Sequence, residues 1–145
     1  DETCPPCRTQ DGVDLASPIV AYWYQMLEPY IKNPNVLICP SLDWRYGYNR
    51  RGFALYAGYA GNDGTIIKLA RLNAPSEKVC MADSRNRYYI YNDGTDPVGG
   101  TVATYGIYPN HNGTGDVLWA DGHVKAVEPM KYNKNRAYWY AADQP

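Results

Sequence analysis

The segment from His111 to Val127 constrains this chain more than any other. Val117-Leu118-Trp119-Ala120 and His123-Val124-Lys125-Ala126-Val127 are two strand-like runs on either side of Asp121-Gly122. Asp-Gly between such runs is a strong short-range hairpin signal, and it predicts a two-residue type I′ turn. Both histidines of the chain fall in this stretch. His111 stands nine residues ahead of Asp121-Gly122, and His123 follows it directly.

Upstream, Ser17-Pro18 reads as an N-cap followed by proline at the first helical position. Ile19, Tyr22, Trp23, Met26, Leu27 and Tyr30 then recur at three- and four-residue spacing, which predicts the principal helix of the fold. Asn33-Pro34 ends it, because a residue before proline is pushed out of the α region. Val36-Leu37-Ile38-Cys39 reads as a short buried run. Residues 42–65 are rich in Gly, Tyr and Asn and read as an irregular excursion. Residues 67–72 fit a helical turn or a short strand. Lys78-Val79-Cys80-Met81-Ala82-Asp83 predicts a central strand and Tyr88-Tyr89-Ile90-Tyr91 another, with a long loop over 92–100. Tyr138-Trp139-Tyr140 reads as a last edge strand. The expected architecture is α+β: one main N-terminal helix packed on an antiparallel β-sheet with long irregular loops. The whole of 1–145 fits a single domain, in which 1–16 is an extended surface segment.

Composition narrows the function classes. Lys+Arg 14 against Asp+Glu 15 gives a net charge of -1, so the chain has no basic footprint for nucleic acid. No apolar run approaches the roughly 20 residues a membrane span requires. The aromatic content is 15 Tyr and 4 Trp against a single Phe, so most of the aromatic surface carries a polar handle. Such side chains suit interfaces and sugar-contacting surfaces, and Tyr is also an ordinary strand former.

Cys4, Cys7, Cys39 and Cys80 form an even set in a small chain. Disulfides are the leading reading, with Cys4–Cys7 plus Cys39–Cys80 the simplest of three pairings, and they imply an extracellular setting. A redox pair at Cys4-Pro5-Pro6-Cys7 lacks a preceding strand, and a four-cysteine zinc site lacks a second close pair. His111, His123 and Asp83 form a candidate transition-metal set, weighed against a purely structural role for His111. Nucleophilic catalysis finds no support: the chain has no G-x-S-x-G elbow and no Gly-rich phosphate loop.

Several pieces together resemble a known family. They are Leu27-Glu28-Pro29-Tyr30-Ile31-Lys32-Asn33, Val36-Leu37-Ile38-Cys39-Pro40-Ser41, Tyr46-Gly47-Tyr48-Asn49, Ala74-Pro75-Ser76-Glu77-Lys78-Val79 leading to Ala82-Asp83-Ser84, and His111 with Asp121-Gly122 nine residues on. In this order they look like the bacterial prepilin-like or type II secretion pseudopilin-like proteins with a C-terminal H-x9-DG signature, over most of residues 20–127. The resemblance implies a pilin-like head domain, and this sequence departs from the family in that the N-terminal hydrophobic helix is absent: either the chain is trimmed or it assembles without that helix. It also implies a non-enzymatic, extracellular subunit that self-associates into a homo-oligomeric filament or pseudopilus. Tyr88, Tyr89, Tyr91, Tyr138, Trp139 and Tyr140 are the expected assembly surface. Related heads often hold Ca2+, for which Asp93, Asp96 and Asp116 are the candidate ligands here. The alternative is an extracellular module that recognises glycan through exposed Tyr and Trp.

Overall fold

Backbone pairing in a computed structural model is described for residues 8–10, 19–41, 44–49, 69–85, 89–90, 105–133 and 135–139. The elements are β1 (Arg8–Gln10), β2 (Ile19–Tyr22), α1 (Trp23–Leu27), β3 (Ile38–Cys39), β4 (Trp44–Arg45), β5 (Gly47–Asn49), β6 (Val79–Ala82), β7 (Tyr89–Ile90), β8 (Gly115–Trp119), β9 (Val124–Val127) and α2 (Pro129–Asn133). The fold is mixed α+β. Five strands form one sheet in the order β7-β5-β6-β8-β9, with β6 at its centre. Its pairings are antiparallel except for the edge pair β5 and β7, which run parallel. β1 with β2, and β3 with β4, make two further antiparallel pairs.

Successive residues of a strand face opposite sides of a sheet, and this sheet separates two cores. On one side Trp23, Leu37, Tyr48 and Leu72 are buried together, with Cys80 and Met81 of β6 both packed against them because a register shift between Val79 and Met81 interrupts the alternation. On the other, Val79, Ile90, Ile107, Val117, Trp119 and Trp139 belong to a second buried cluster. β8 shows the alternation plainly: Gly115, Val117 and Trp119 are buried, while Asp116 and Leu118 are half-exposed.

The expected long N-terminal helix is not present. Ile19–Tyr22 is a strand, and the α-helix is confined to Trp23–Leu27, followed by a 3-10 turn at Glu28–Tyr30. Two local preferences outweigh the apolar spacing. Ile19-Val20 is a β-branched pair that favours extended backbone, and Pro29 removes a backbone donor from what would be the helix interior. Trp23 is fully buried, whereas Tyr30 is 84% exposed, so the apolar residues do not share one buried face. Asn33 caps a second 3-10 turn over Pro34–Leu37, its Oδ1 accepting from Asn35 N at 3.0 Å. The apolar run after it is only partly interior: Leu37 and Cys39 are buried and Val36 is exposed.

The hairpin at β8–β9 is present, but its turn is of another kind. Trp119 N donates to His123 O at 2.9 Å and Gly122 N to Trp119 O at 3.0 Å. Gly122 has φ +93, and Asp121 is not among the described residues with positive φ. A type I′ turn needs positive φ at both central residues, so this is a three-residue loop with glycine in the left-handed position. The type I′ geometry lies nine residues earlier, at Asn112 (φ 52) and Gly113 (φ 89). There His111 and Thr114 exchange both backbone hydrogen bonds, each at 2.9 Å.

The C-terminal segment is not an edge strand. Arg136–Tyr138 is a 3-10 turn, and Trp139 is completely buried, its Nε1 donating to Tyr132 O at 2.9 Å. Trp139 is therefore a core residue, not part of an assembly surface. Tyr138 packs its ring against Tyr132 and Trp119, at centroid distances of 4.8 and 6.1 Å. Tyr89 lies in β7, while Tyr88, Tyr91 and Tyr140 fall outside the described residues.

Candidate functional site

Asp83 follows the last residue of the central strand and is completely buried. Its backbone is held from two sides. Asp83 N donates to Asp116 O at 3.0 Å, and Asp83 O accepts from Tyr108 N at 3.0 Å. Asp116 N donates back to the Asp83 carboxylate, at 2.8 Å from Oδ2. The second carboxylate oxygen, Oδ1, is buried with no hydrogen-bond partner. The Asn110 amide lies beside it and favours the charged carboxylate, yet no hydrogen bond closes: Asn110 Nδ2 and Oδ1 are also buried without partners.

His111 is brought to Asp83 by the tight Asn112-Gly113 turn. Its Nε2 stands 3.4 Å from Asp83 Oδ2 and 3.8 Å from Asp116 Oδ2. Cys39, at the end of β3 and 72 positions away in sequence, places Sγ 3.5 Å from the same nitrogen. One ligand atom each from Cys39, Asp83 and His111 can be chosen so that all lie within 4.8 Å of one another. Cys39 and Asp83 are buried, and the His111 side chain is 32% exposed.

Burial raises the Asp83 carboxyl above its ordinary pKa, and the Asp116 charge adds to this. The Asp116 N–H, the Asn110 amide and His111 oppose it. Tyr46, between β4 and β5, is raised by burial first, and then by Asp83, Cys39 and Asp116 in that order.

This set is not a thiol hydrolase triad. Such a triad needs the thiol on one imidazole nitrogen and the carboxylate on the other, so that a proton passes through the ring. Here both approach Nε2. A sulfur, a nitrogen and an oxygen within 4.8 Å of one another are a set that could hold a metal ion instead.

Of the residues expected at a metal site, the structure unites His111 and Asp83 but not His123. His123 is exposed at the turn, where Nδ1 lies 2.6 Å from Asp121 Oδ1 and the ring stacks on Trp119 at 5.6 Å. Among the expected calcium ligands, Asp93 and Asp96 fall outside the described residues. Around Asp116 the nearby donors include a thiol and an imidazole, which suit softer metals than Ca2+. Cys4 and Cys7 also lie outside the described residues. No disulfide joins Cys39 to Cys80. Cys80 packs against the Trp23 cluster while Cys39 sits against His111, so the two side chains occupy different environments. Cys39 as a partner of His111 was not legible, because a pair 72 positions apart leaves no local spacing.

No protein-family model, curated protein or solved structure matches the chain. Among the described residues, no helix is long and apolar enough to cross a membrane.

Beside the Cys39–His111 cluster the sheet carries an apolar recess of about 350 Å³, lined by Val36, Leu37, Met81, Leu118 and Val124 and bordered by Tyr46 and Asp116. Val36 and Val124 at its rim are 58% and 66% exposed.

Proposed function

We propose that this chain is a non-enzymatic structural subunit of an extracellular bacterial filament or pseudopilus-like assembly, in which copies of the head pack against one another. The observation that carries this reading is the recess between the exposed side chains of Val36 and Val124. An apolar hollow rimmed by exposed valines is a surface that gains from being covered. Reaction chemistry is not required to account for the two turns of the His-x9-Asp-Gly segment. Asn112-Gly113 and Asp121-Gly122 are spent on turns, and His123 is engaged with Asp121 and Trp119.

The test is assembly. At micromolar concentration the chain forms ordered polymers visible by electron microscopy, and Val124→Asp abolishes them while leaving the circular dichroism spectrum unchanged. A chain that stays strictly monomeric across that range, in its natural full-length form, overturns the reading.

A further inference from the structure

We propose that Cys39, Asp83 and His111 bind a zinc ion, with water in the fourth position. The site goes beyond the assembly role and does not depend on it.

The distances agree with a bound ion. A charge-assisted N–H···O bond closes to about 2.7–2.9 Å. His111 Nε2 and Asp83 Oδ2 stand 3.4 Å apart, too far for such a bond. Zinc bonds of about 2.3 Å to sulfur and about 2.0–2.1 Å to nitrogen and oxygen, at tetrahedral angles, put ligand atoms roughly 3.5 Å (S···N) and 3.3 Å (N···O) apart. The observed separations are 3.5 Å for Cys39 Sγ to His111 Nε2 and 3.4 Å for His111 Nε2 to Asp83 Oδ2. Both match the edges of such a tetrahedron. Asp116 Oδ2, at 3.8 Å from the same nitrogen, stands outside the three-ligand set, so the fourth position is left to water.

A second observation points the same way. Asp83 is completely buried, and its Oδ2 is the oxygen that faces His111. A charged carboxylate taken out of water is costly unless a counter-charge is supplied. The mixed donor set selects the ion: a thiolate with an imidazole and a carboxylate suits zinc, whereas calcium and magnesium take oxygen ligands. The surrounding backbone already orients the ligands. Asp116 N–H holds the Asp83 carboxylate at 2.8 Å, and the His111–Thr114 backbone pair fixes the imidazole's root. Binding displaces the Cys39 thiol proton to solvent, so affinity falls as pH drops. The ion would tie β3, the end of β6 and the Asn112-Gly113 turn together.

The experiment uses the full chain, reduced and stripped of metal. Zinc titration should saturate at one ion per chain by elemental analysis. Cobalt should give an intense thiolate charge-transfer band in the near ultraviolet together with the visible bands of tetrahedral Co2+. Cys39→Ser should abolish the charge-transfer band and weaken zinc binding at least tenfold, and His111→Gln should weaken it comparably. Cys80→Ser and His123→Ala should change neither. Should Cys39→Ser fail to fold, protection on the native chain decides: saturating zinc must slow alkylation of Cys39, mapped by mass spectrometry, at least tenfold. No stoichiometric zinc, a charge-transfer band that survives Cys39→Ser, or unprotected Cys39 overturns the proposal.

Discussion

Asn133 imitates a strand to Ile107. Its side-chain Oδ1 accepts from Ile107 N at 2.9 Å while its Nδ2 donates to Ile107 O at 3.0 Å, so one amide side chain satisfies both backbone groups of a completely buried residue. Asn133→Ala strands both groups away from water and should cost roughly 2–4 kcal/mol, since each unsatisfied buried group costs about 1–3 kcal/mol. Urea unfolding reads this as a lower midpoint with an unchanged slope. Gly106→Ala should be at least as damaging, because its Cβ would stand 2.7 Å from the Asn133 amide atoms.

Asn49 carries a second prediction of a different sign pattern. It is completely buried, and its Nδ2 donates to Val79 O at 2.7 Å and to Trp139 O at 2.9 Å, which joins the central strand to the C-terminal segment. Asn49→Asp replaces the donor by an oxygen facing two carbonyls. It should destabilise more than Asn49→Ala, by roughly 1 kcal/mol or more, because it adds repulsion and an ionisable buried group to the lost bonds. Thermal unfolding of the pair checks the order, and equal midpoints would contradict it.

The two turns respond differently to substitution. Asn112 and Gly113 both have positive φ, so Asn112→Val and Gly113→Ala should each cost about 1–2 kcal/mol. Asp121 does not share that conformation, so Asp121→Ala should lose only its hydrogen bonds to His123, at 3.2 and 2.6 Å. Comparison of the three by chemical denaturation distinguishes the turn types.

Asp121 also sets a pH dependence. The backbone N–H of His123 lowers its carboxyl pKa first, with the His123 side chain adding to this. A group whose pKa is lower folded than unfolded stabilises above its unfolded pKa, and that contribution is lost as pH falls through the folded value. The carboxyl is exposed, so the effect is small and sensitive to salt. Carbon-detected NMR should place the Asp121 midpoint below an ordinary aspartate, and His123→Ala should move it part of the way back.

The sheet centre and the hairpin were legible because their residues obey short-range rules. Val79–Ala82 is a compact apolar run, and Val117–Val127 is two strand-like runs around Asp-Gly. The N-terminal helix misled because helical spacing in Ile19, Tyr22, Trp23 and Met26 arises from a strand followed by a single helical turn, in which Trp23 is fully buried while Tyr22 and Met26 are half-buried. Trp139 read as surface because an aromatic between two tyrosines near the chain end carries no sign of burial. What places it inside is contact with Asn49 and Tyr132, the first of them 90 positions away. The candidate site was half legible: His111 and Asp83 bracket regions of strong pattern, but Cys39 joins them only through tertiary packing.

The interval between His111 and Asp121 works as a ruler with a parity. It holds a two-residue turn, Thr114, the five residues of β8 and Ala120, so its length fixes which side of the sheet every β8 side chain meets. A one-residue insertion in β8 would exchange the two faces. Val117 and Trp119 would leave the second core, and Asp116 would turn away from Asp83 and His111. Core packing and the backbone bond that holds Asp83 would be lost in a single step, so this spacing can drift in composition but not in odd increments of length.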